Sequence, residues 1–358
     1  MNFKESDISM KITFVCQYLA KGGAERVMSV LIDYFVQKGY SVRLILLYEN
    51  IISYPLPQSV EIVVLNWNRK MNIFNRVIKL NELRALLKNQ IIITFLYSAI
   101  RDTVASTMFT KKHLIVSERN DPNNDPKGRI RRWIRTFSYF FADEVVFQTE
   151  DAKKYFPKYI RQKGIVIANP LKENLIEPFN GCRERRIVSV CRLSEQKNLT
   201  MAIDAFEKFN KVHPEYIYEI YGEGELRESI QQYIEKKNLR EKVFLKGFYQ
   251  NIHSEIVNAA VFVLPSNYEG ISNSMLEALA IGLPVICTDC PIGGARQVIE
   301  NGKNGVLIPV GDTAALFNAM CKIVEDEDFA GLLSSNATNV RNDYNADLIC
   351  KKWETLLC

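Results

Sequence analysis

Short runs rich in Val and Ile, mostly without the polar alternation of a half-exposed strand, recur along the whole chain and alternate with helical patterns. A strand that is apolar on both sides must be covered on both faces. A parallel sheet clothed by its own crossover helices does this. In the first half the strand-like runs are 11–16, 42–47, 62–65, 91–96, 114–117, 145–148 and 165–168, with helical patterns at 24–38, 73–88, 99–108 and 130–141. A polar stretch, 172–186, carries Pro178, Asn180 and Gly181 and reads as a linker. The alternation then restarts, with strands at 187–191, 216–221, 243–245, 261–264, 284–287 and 305–308. Helices are expected at 199–212, 226–236, 252–258, 274–281, 313–325 and 329–341, and a last one at 346–357. A chain of 358 residues with this pattern is expected to form two doubly wound α/β domains, 10–171 and 187–342, joined by 172–186 and followed by a helical segment, 343–358.

The charged fraction of 24% and hydrophobic fraction of 47% exclude a disordered or fibrous chain. Lys and Arg exceed Asp and Glu by 46 − 41 = 5. This balance suits a phosphorylated ligand or an anionic membrane surface and is too small to argue for nucleic acid. No apolar run reaches the roughly 18–20 residues of a membrane span. Residues 1–9 are polar and lack the apolar region of a signal peptide, so a cytoplasmic chain is expected. The first strand follows Met10 directly, which suggests that translation starts there. The eight cysteines are scattered, most of them in apolar runs, as free thiols are in a reducing compartment. Cys287 and Cys290 form one Cys-x-x-Cys, but His113, His213 and His253 lie far apart in sequence, so no metal site is expected.

Several motifs are incomplete. There is no P-loop. Gly222-Glu223-Gly224 lacks the third glycine of a dinucleotide fingerprint, and Ser274 stands where a nucleophile elbow needs glycine. Asp326-Glu327-Asp328 falls between helical patterns and reads as a solvated charged turn.

Open α/β sheets bind ligands beyond the carboxyl ends of their strands. The residues expected there are Gly22-Gly23-Ala24-Glu25-Arg26, Glu118-Arg119-Asn120, Asn169-Pro170, Arg192 with Lys197, Gly222 and Gly224, Gly247, and Glu269 through Glu277. Arg192 and Lys197, near a helix start, suit a diphosphate: a planar fork, a point charge and a helix dipole act together. A solvated basic pair is the alternative. Glu269 is expected in a loop and Glu277 in the first turn of the next helix. Carboxylates accept from vicinal sugar hydroxyls, and the turn between them (Gly270, Ile271, Ser272, Asn273 and Ser274) offers backbone N–H groups. Ser274-x-x-Glu277 equally fits a capping box. Gly22-Gly23 permits a tight turn and close backbone approach to a ligand. Two amphipathic segments carry basic residues. The first, 70–88 with Arg69 beside it, reads as a sheet-covering helix with a solvated basic face. The second, Arg129-Ile130-Arg131-Arg132-Trp133-Ile134-Arg135 with Phe137, Tyr139, Phe140 and Phe141, fits either such a helix or one resting on an anionic bilayer.

As an ordered set these stretches resemble the family-4 glycosyltransferases of the GT-B fold. The matching stretches are Val190-Cys191-Arg192-Leu193 with Lys197-Asn198, Tyr221-Gly222-Glu223-Gly224, Leu245-Lys246-Gly247-Phe248, and Glu269 to Glu277 running on through Gly282-Leu283-Pro284. Gly22 to Arg26 and Asn169-Pro170 add to them. Ser117-Glu118-Arg119-Asn120-Asp121-Pro122 and Cys290-Pro291-Ile292-Gly293-Gly294-Ala295-Arg296 look like a subset that builds bacterial surface glycans on a lipid carrier. The resemblance implies two Rossmann-like domains facing across a cleft, with the C-terminal helix returning to the first. It implies that Arg192 and Lys197 hold the diphosphate, that Glu269 meets the sugar hydroxyls, and that Glu277 meets the ribose. Gly22-Gly23 would lie near phosphate and acceptor. Two departures stand out: Cys191 occupies a usual glycine position, and Arg119 or a neighbour stands where many members carry a sugar-contacting His.

The expected activity is therefore a retaining, metal-independent glycosyl transfer, with no cofactor. A UDP-sugar would be the donor and a lipid-linked oligosaccharide or polysaccharide the acceptor, in capsule, O-antigen or exopolysaccharide synthesis at the cytosolic face of the inner membrane. A non-hydrolysing nucleotide-sugar epimerase or a non-catalytic GT-B binding subunit are the alternatives. An epimerase is disfavoured by the Glu269–Glu277 stretch, and a binding subunit by the presence of Arg192, Lys197 and Glu269.

Overall fold

The computed structural model describes residues 11–68 and 70–357. The polar leader, the suggested start at Met10, Arg69 and Cys358 lie outside them. Two compact units are present. One runs to Pro170 and takes in the stretch from Ala346 onward; the other is Leu171–Asn345.

The first unit holds strands β1 (Lys11–Cys16), β2 (Ser41–Leu46), β3 (Glu61–Val64), β4 (Ile91–Phe95), β5 (His113–Ser117), β6 (Glu144–Phe147) and β7 (Gly164–Val166), in the spatial order β3-β2-β1-β4-β5-β6-β7. Its helices are α1 (Gly23–Gln37), α2 (Ile73–Leu87), α3 (Tyr97–Thr107), α4 (Arg129–Phe140), α5 (Glu150–Lys154) and α6 (Lys158–Arg161). The second unit holds β8 (Glu184–Val190), β9 (Ile217–Tyr221), β10 (Val243–Gly247), β11 (Ala259–Leu264), β12 (Val285–Thr288) and β13 (Val306–Ile308), ordered β10-β9-β8-β11-β12-β13. Its helices are α7 (Leu199–Val212), α8 (Arg227–Lys236), α9 (Ile252–Ile256), α10 (Asn273–Ala280), α11 (Thr313–Glu325), α12 (Glu327–Ala337) and α13 (Val340–Asp343). Helix α14 (Ala346–Glu354) packs against α1 and so belongs to the first unit.

Every described strand pair is parallel, as the unbroken apolar runs require. All of β4 and all of β11 are buried. Full burial of a Val, Ile or Phe side chain contributes about 1.5–3 kcal/mol before chain entropy is counted, so these central strands anchor each unit. Trp353 of α14 is buried beside Phe95 of β4, ring centroids 5.5 Å apart, and ties the chain end to the first sheet.

Several local expectations are corrected. Residues 172–183 are not a free linker: Arg183 donates to the carbonyls of Val257, Ala259 and Gly282, and Arg341 to that of Ile176, so the stretch is fastened to the second unit. β8 itself begins at Glu184, inside the stretch expected to be linker, and 343–345 belong to the second unit. The helix expected at 329–341 is two, α12 and α13, and begins earlier. Asp326 caps α12 by accepting from Phe329 N at 2.9 Å, so Asp326-Glu327-Asp328 is a helix start, not a solvated turn. Helices α5 and α6 were not anticipated; five and four residues are too short to show helical periodicity.

Candidate functional site

In the second unit the chain builds β8, β9 and β10 in one direction and β11, β12 and β13 in the other. The topological switch point therefore lies between β8 and β11, where the loops leaving their carboxyl ends diverge and leave a crevice. Lys197 comes from the loop after β8 and Glu269 from the loop after β11, and there they meet: Lys197 Nζ is bonded to Glu269 Oε2. Their side chains are only 12% and 19% exposed. Burial lowers the Lys197 pKa, but the charge and hydrogen bond of Glu269 more than offset this, leaving it raised. Ser266 Oγ donates to the same Glu269 oxygen at 3.1 Å, and Gln196 Nε2 reaches the other at 3.4 Å. The two loops are also stitched together by Asn267 N to Gln196 O at 2.7 Å and Gln196 Nε2 to Tyr268 O at 2.9 Å.

Lys197 ends a short 3₁₀ turn and Asn198, in the left-handed region at φ 44°, redirects the chain into α7. The ammonium thus stands just outside the helix start. Arg192 follows β8, is exposed, and has no hydrogen-bond or ion-pair partner among the described residues. Arg192 and Lys197 thus both belong to the loop that leaves the carboxyl end of β8 and runs into α7, and two cations before a helix start suit an anion with several oxygens.

The glycines have a structural reason that the sequence did not disclose. A Cβ on Gly222 would lie 1.9 Å from Cys191 O, and one on Gly224 2.3 Å from Leu193 O. Gly222 N also donates to Gly247 O at 2.8 Å, linking the loops after β9 and β10. Close backbone packing therefore accounts for Gly222 and Gly224. Likewise a Cβ on Gly294 would lie 1.9 Å from Gly270 O, so the Cys290–Arg296 stretch presses on the turn after Glu269.

The capping-box alternative for Glu277 does not hold. Ser272, not Ser274, caps α10, accepting from Met275 N at 3.4 Å, and Ser274 Oγ lies 3.1 Å from Ser272 Oγ. Glu277 is the fifth residue of α10, past the first turn, and cannot reach back to the cap. It is 6% exposed and bonds instead to His253 Nε2 of α9 at 3.0 Å. Sequence reasoning missed His253, Gln196 and Ser266. Gln196 could have been found from its place beside Lys197; nothing in the sequence points to His253. The buried thiols Cys287 and Cys290 sit under the Glu269 loop, where Cys290 and Thr288 both donate to Ser266 O. Their role there is packing and hydrogen bonding. His213, Cys321 and Glu325 do come together, with His213 Nε2 2.9 Å from Glu325 Oε1. They lie at the far end of α7 from Lys197, roughly 20 Å along the helix axis.

In the first unit the switch point is between β1 and β4. Gly22 caps α1 after β1, its carbonyl accepting from Tyr54 Oη at 2.9 Å, and the Glu25 carboxylate folds back over it. After β5, Arg119 donates to Asn169 Oδ1 at 2.9 Å, and Asn169 also accepts from Gln148 at 2.7 Å. The guanidinium lies 4.5 Å from the Phe95 ring centroid and 5.2 Å from that of Trp353, with Nε and one Nη buried and unbonded. Burial pulls its pKa down to about 9. Glu118 is buried against Tyr139 Oη (3.1 Å) and Arg135 (3.3 Å). Burial pushes its pKa up to about 7, against the pull of Arg135. Arg135 also donates to the carbonyls of Pro122 and Asp125, so this arginine of the basic segment is internal and shapes the 117–125 loop. Asn120 bonds to Asp125 within that loop.

The sequence model of the glycosyl transferases group 1 matches residues 143–340, more than half of the chain. The chain belongs to this family. This glycosyltransferase is 26% identical, over 97% of its length and 98% of the relative's, to a Campylobacter jejuni enzyme named as an alpha-1,4-N-acetyl-D-galactosaminyltransferase acting on an undecaprenol-diphosphate-linked glycan. It is 24% identical, over 94% of its length and 96% of the relative's, to the amylovoran biosynthesis glycosyltransferase AmsD of Erwinia amylovora. Its fold is that of Anabaena HepE, solved with UDP and glucose (TM-score 0.85, 18% identity, 97% and 99% of the two chains). The GT-B class expected from the sequence is thereby shown, as two parallel-sheet Rossmann-like units.

Proposed function

We propose that this glycosyltransferase transfers a sugar from a UDP-sugar, with retention and without a metal, to a lipid-linked oligosaccharide or polysaccharide acceptor of a bacterial surface glycan. The observation that carries this reading is the Lys197–Glu269 pair at the switch point, with Arg192 exposed on the same loop after β8. A nucleotide-diphosphate sugar presents phosphate oxygens next to sugar hydroxyls. Phosphate complements the ammonium, the hydroxyls donate to the carboxylate, and the bound donor takes over from the pair's mutual neutralisation. The C1–O bond to the diphosphate breaks. The acceptor oxygen bonds to C1 on the same face, and its proton passes to the departing phosphate oxygen. Arg192 and Lys197 stabilise the charge that develops on that leaving group, the role a cation plays in metal-dependent transferases. Glu277 receives the ribose hydroxyls. The relatives' names, one undecaprenol-linked and one of amylovoran biosynthesis, and the UDP bound by HepE support the acceptor and donor classes.

No helix among the described residues is long and apolar enough to cross a membrane. The helix surfaces support a peripheral contact instead. Helix α2 is not the sheet-covering helix expected for 70–88: Ile73 is 85% and Phe74 74% exposed, Val77 and Ile78 are half exposed, and Leu83 and Leu87 are its buried residues. On α4, Ile130, Trp133, Phe137 and Phe140 are exposed beside Arg129 and Arg131. Apolar side chains flanked by cations fit the interface of an anionic bilayer, where a lipid-linked acceptor is held.

Glu269→Gln tests the reading directly: the protein stays folded and turnover with a UDP-sugar and a lipid-diphosphate glycan falls by about 10²-fold or more. Turnover at the wild-type rate would reject the site.

A further inference from the structure

Glu277 is a buried carboxylate in the second turn of α10, where no free helix N–H is available to it. A carboxylate taken out of water without a donor is strongly disfavoured. A donor to it is His253 Nε2, 3.0 Å from Glu277 Oε2, and the His253 side chain is itself only 10% exposed. A carboxylate can only accept, so Nε2 carries the proton. His253 lies at the start of α9, in the segment that leaves the carboxyl end of β10, whereas Glu277 follows the loop that leaves β11. The pair therefore joins two elements that reach the candidate site by separate routes.

We propose that His253 is a positioning residue of the nucleotide site: its Nε2–H fixes the Glu277 carboxylate in the orientation that receives the ribose hydroxyls. The inference rests on the reading of Glu277 given above. With one oxygen held by the imidazole, the carboxylate cannot rotate freely, and its remaining lone pairs keep a set direction for two vicinal O–H donors. His253 touches neither the sugar nor the reacting phosphate. Its loss acts through ribose recognition and leaves the affinity for the rest of the nucleotide in place.

The test is calorimetric titration of the full chain with whichever of UDP, GDP and ADP binds most tightly, and with its 2′-deoxy and 3′-deoxy counterparts. The wild type prefers the ribonucleotide by about tenfold or more, the range of a hydrogen bond to a charged group. Glu277→Ala removes that preference. His253→Ala, and His253→Phe, which fills the ring volume without a donor, each reduce it several-fold while binding of the deoxy nucleotides is retained. His253→Gln, which keeps an N–H, restores most of it. A preference intact in both His253→Ala and His253→Phe, but lost in Glu277→Ala, overturns the positioning role alone. A wild type that does not distinguish ribose from deoxyribose overturns the ribose reading of Glu277 and this inference with it.

Discussion

Lys197, Glu269 and Arg192 differ in how far the folded protein depends on them. Arg192 is exposed and partnerless, so Arg192→Ala should leave the unfolding temperature within the small range of surface substitutions and weaken nucleotide binding about tenfold or more. A calorimetric melt and a binding isotherm on the same sample check both halves. Lys197 is mostly buried and paired, so Lys197→Ala should lower stability as well as activity, because it takes the counter-charge from Glu269. Glu118 makes a pH prediction. Its folded pKa, raised to about 7, exceeds its unfolded value near 4.3. Its contribution to stability is therefore complete below the unfolded pKa and is lost as pH rises through about 7. Glu118→Gln should gain stability relative to the wild type between about pH 5 and pH 8, measured by denaturant midpoints; an unchanging difference across that window would refute the assignment.

At the scale of elements, the loops are set by backbone contact. Gly222→Ala would put a methyl into the Cys191 carbonyl in a left-hand region backbone, φ 134°, and should cost more than about 3 kcal/mol. Gly39, also at positive φ (86°) but with open space around it, should lose only about 1 kcal/mol on the same change. Denaturant unfolding of the two variants decides this. The central strands were legible because burial on both faces leaves no other composition for them, and the strand-end residues followed from the parallel topology. Arg192, Lys197 and Glu269 could be singled out because cations and carboxylates at strand ends have few structural duties. The α10 cap was misread because Ser272 and Ser274 are two residues apart and only the backbone trajectory decides between them. Whether α2 turns its apolar residues inward also depends on the neighbours it packs against, which periodicity does not report.

For the whole molecule, both units put their candidate residues at the carboxyl ends of parallel strands, and the exposed apolar side chains of α2 and α4 belong to the first. Replacing Ile73, Phe74 and Trp133 together by Ser should reduce co-sedimentation with anionic vesicles at least several-fold without changing binding of the nucleotide. Equal sedimentation would remove the membrane surface from the proposal. The net charge of +5 predicts that this association weakens with salt. The chemistry proposed above needs Arg192, Lys197 and Glu269 to hold a nucleotide diphosphate without a cation. The most direct measurement is calorimetric titration of the wild type and Arg192→Ala with UDP, GDP and ADP in EDTA. Selective binding of UDP in the chelator, weakened about tenfold or more in the variant, is the expected result. A requirement for a divalent cation, or an isotherm that Arg192→Ala leaves unchanged, would contradict it.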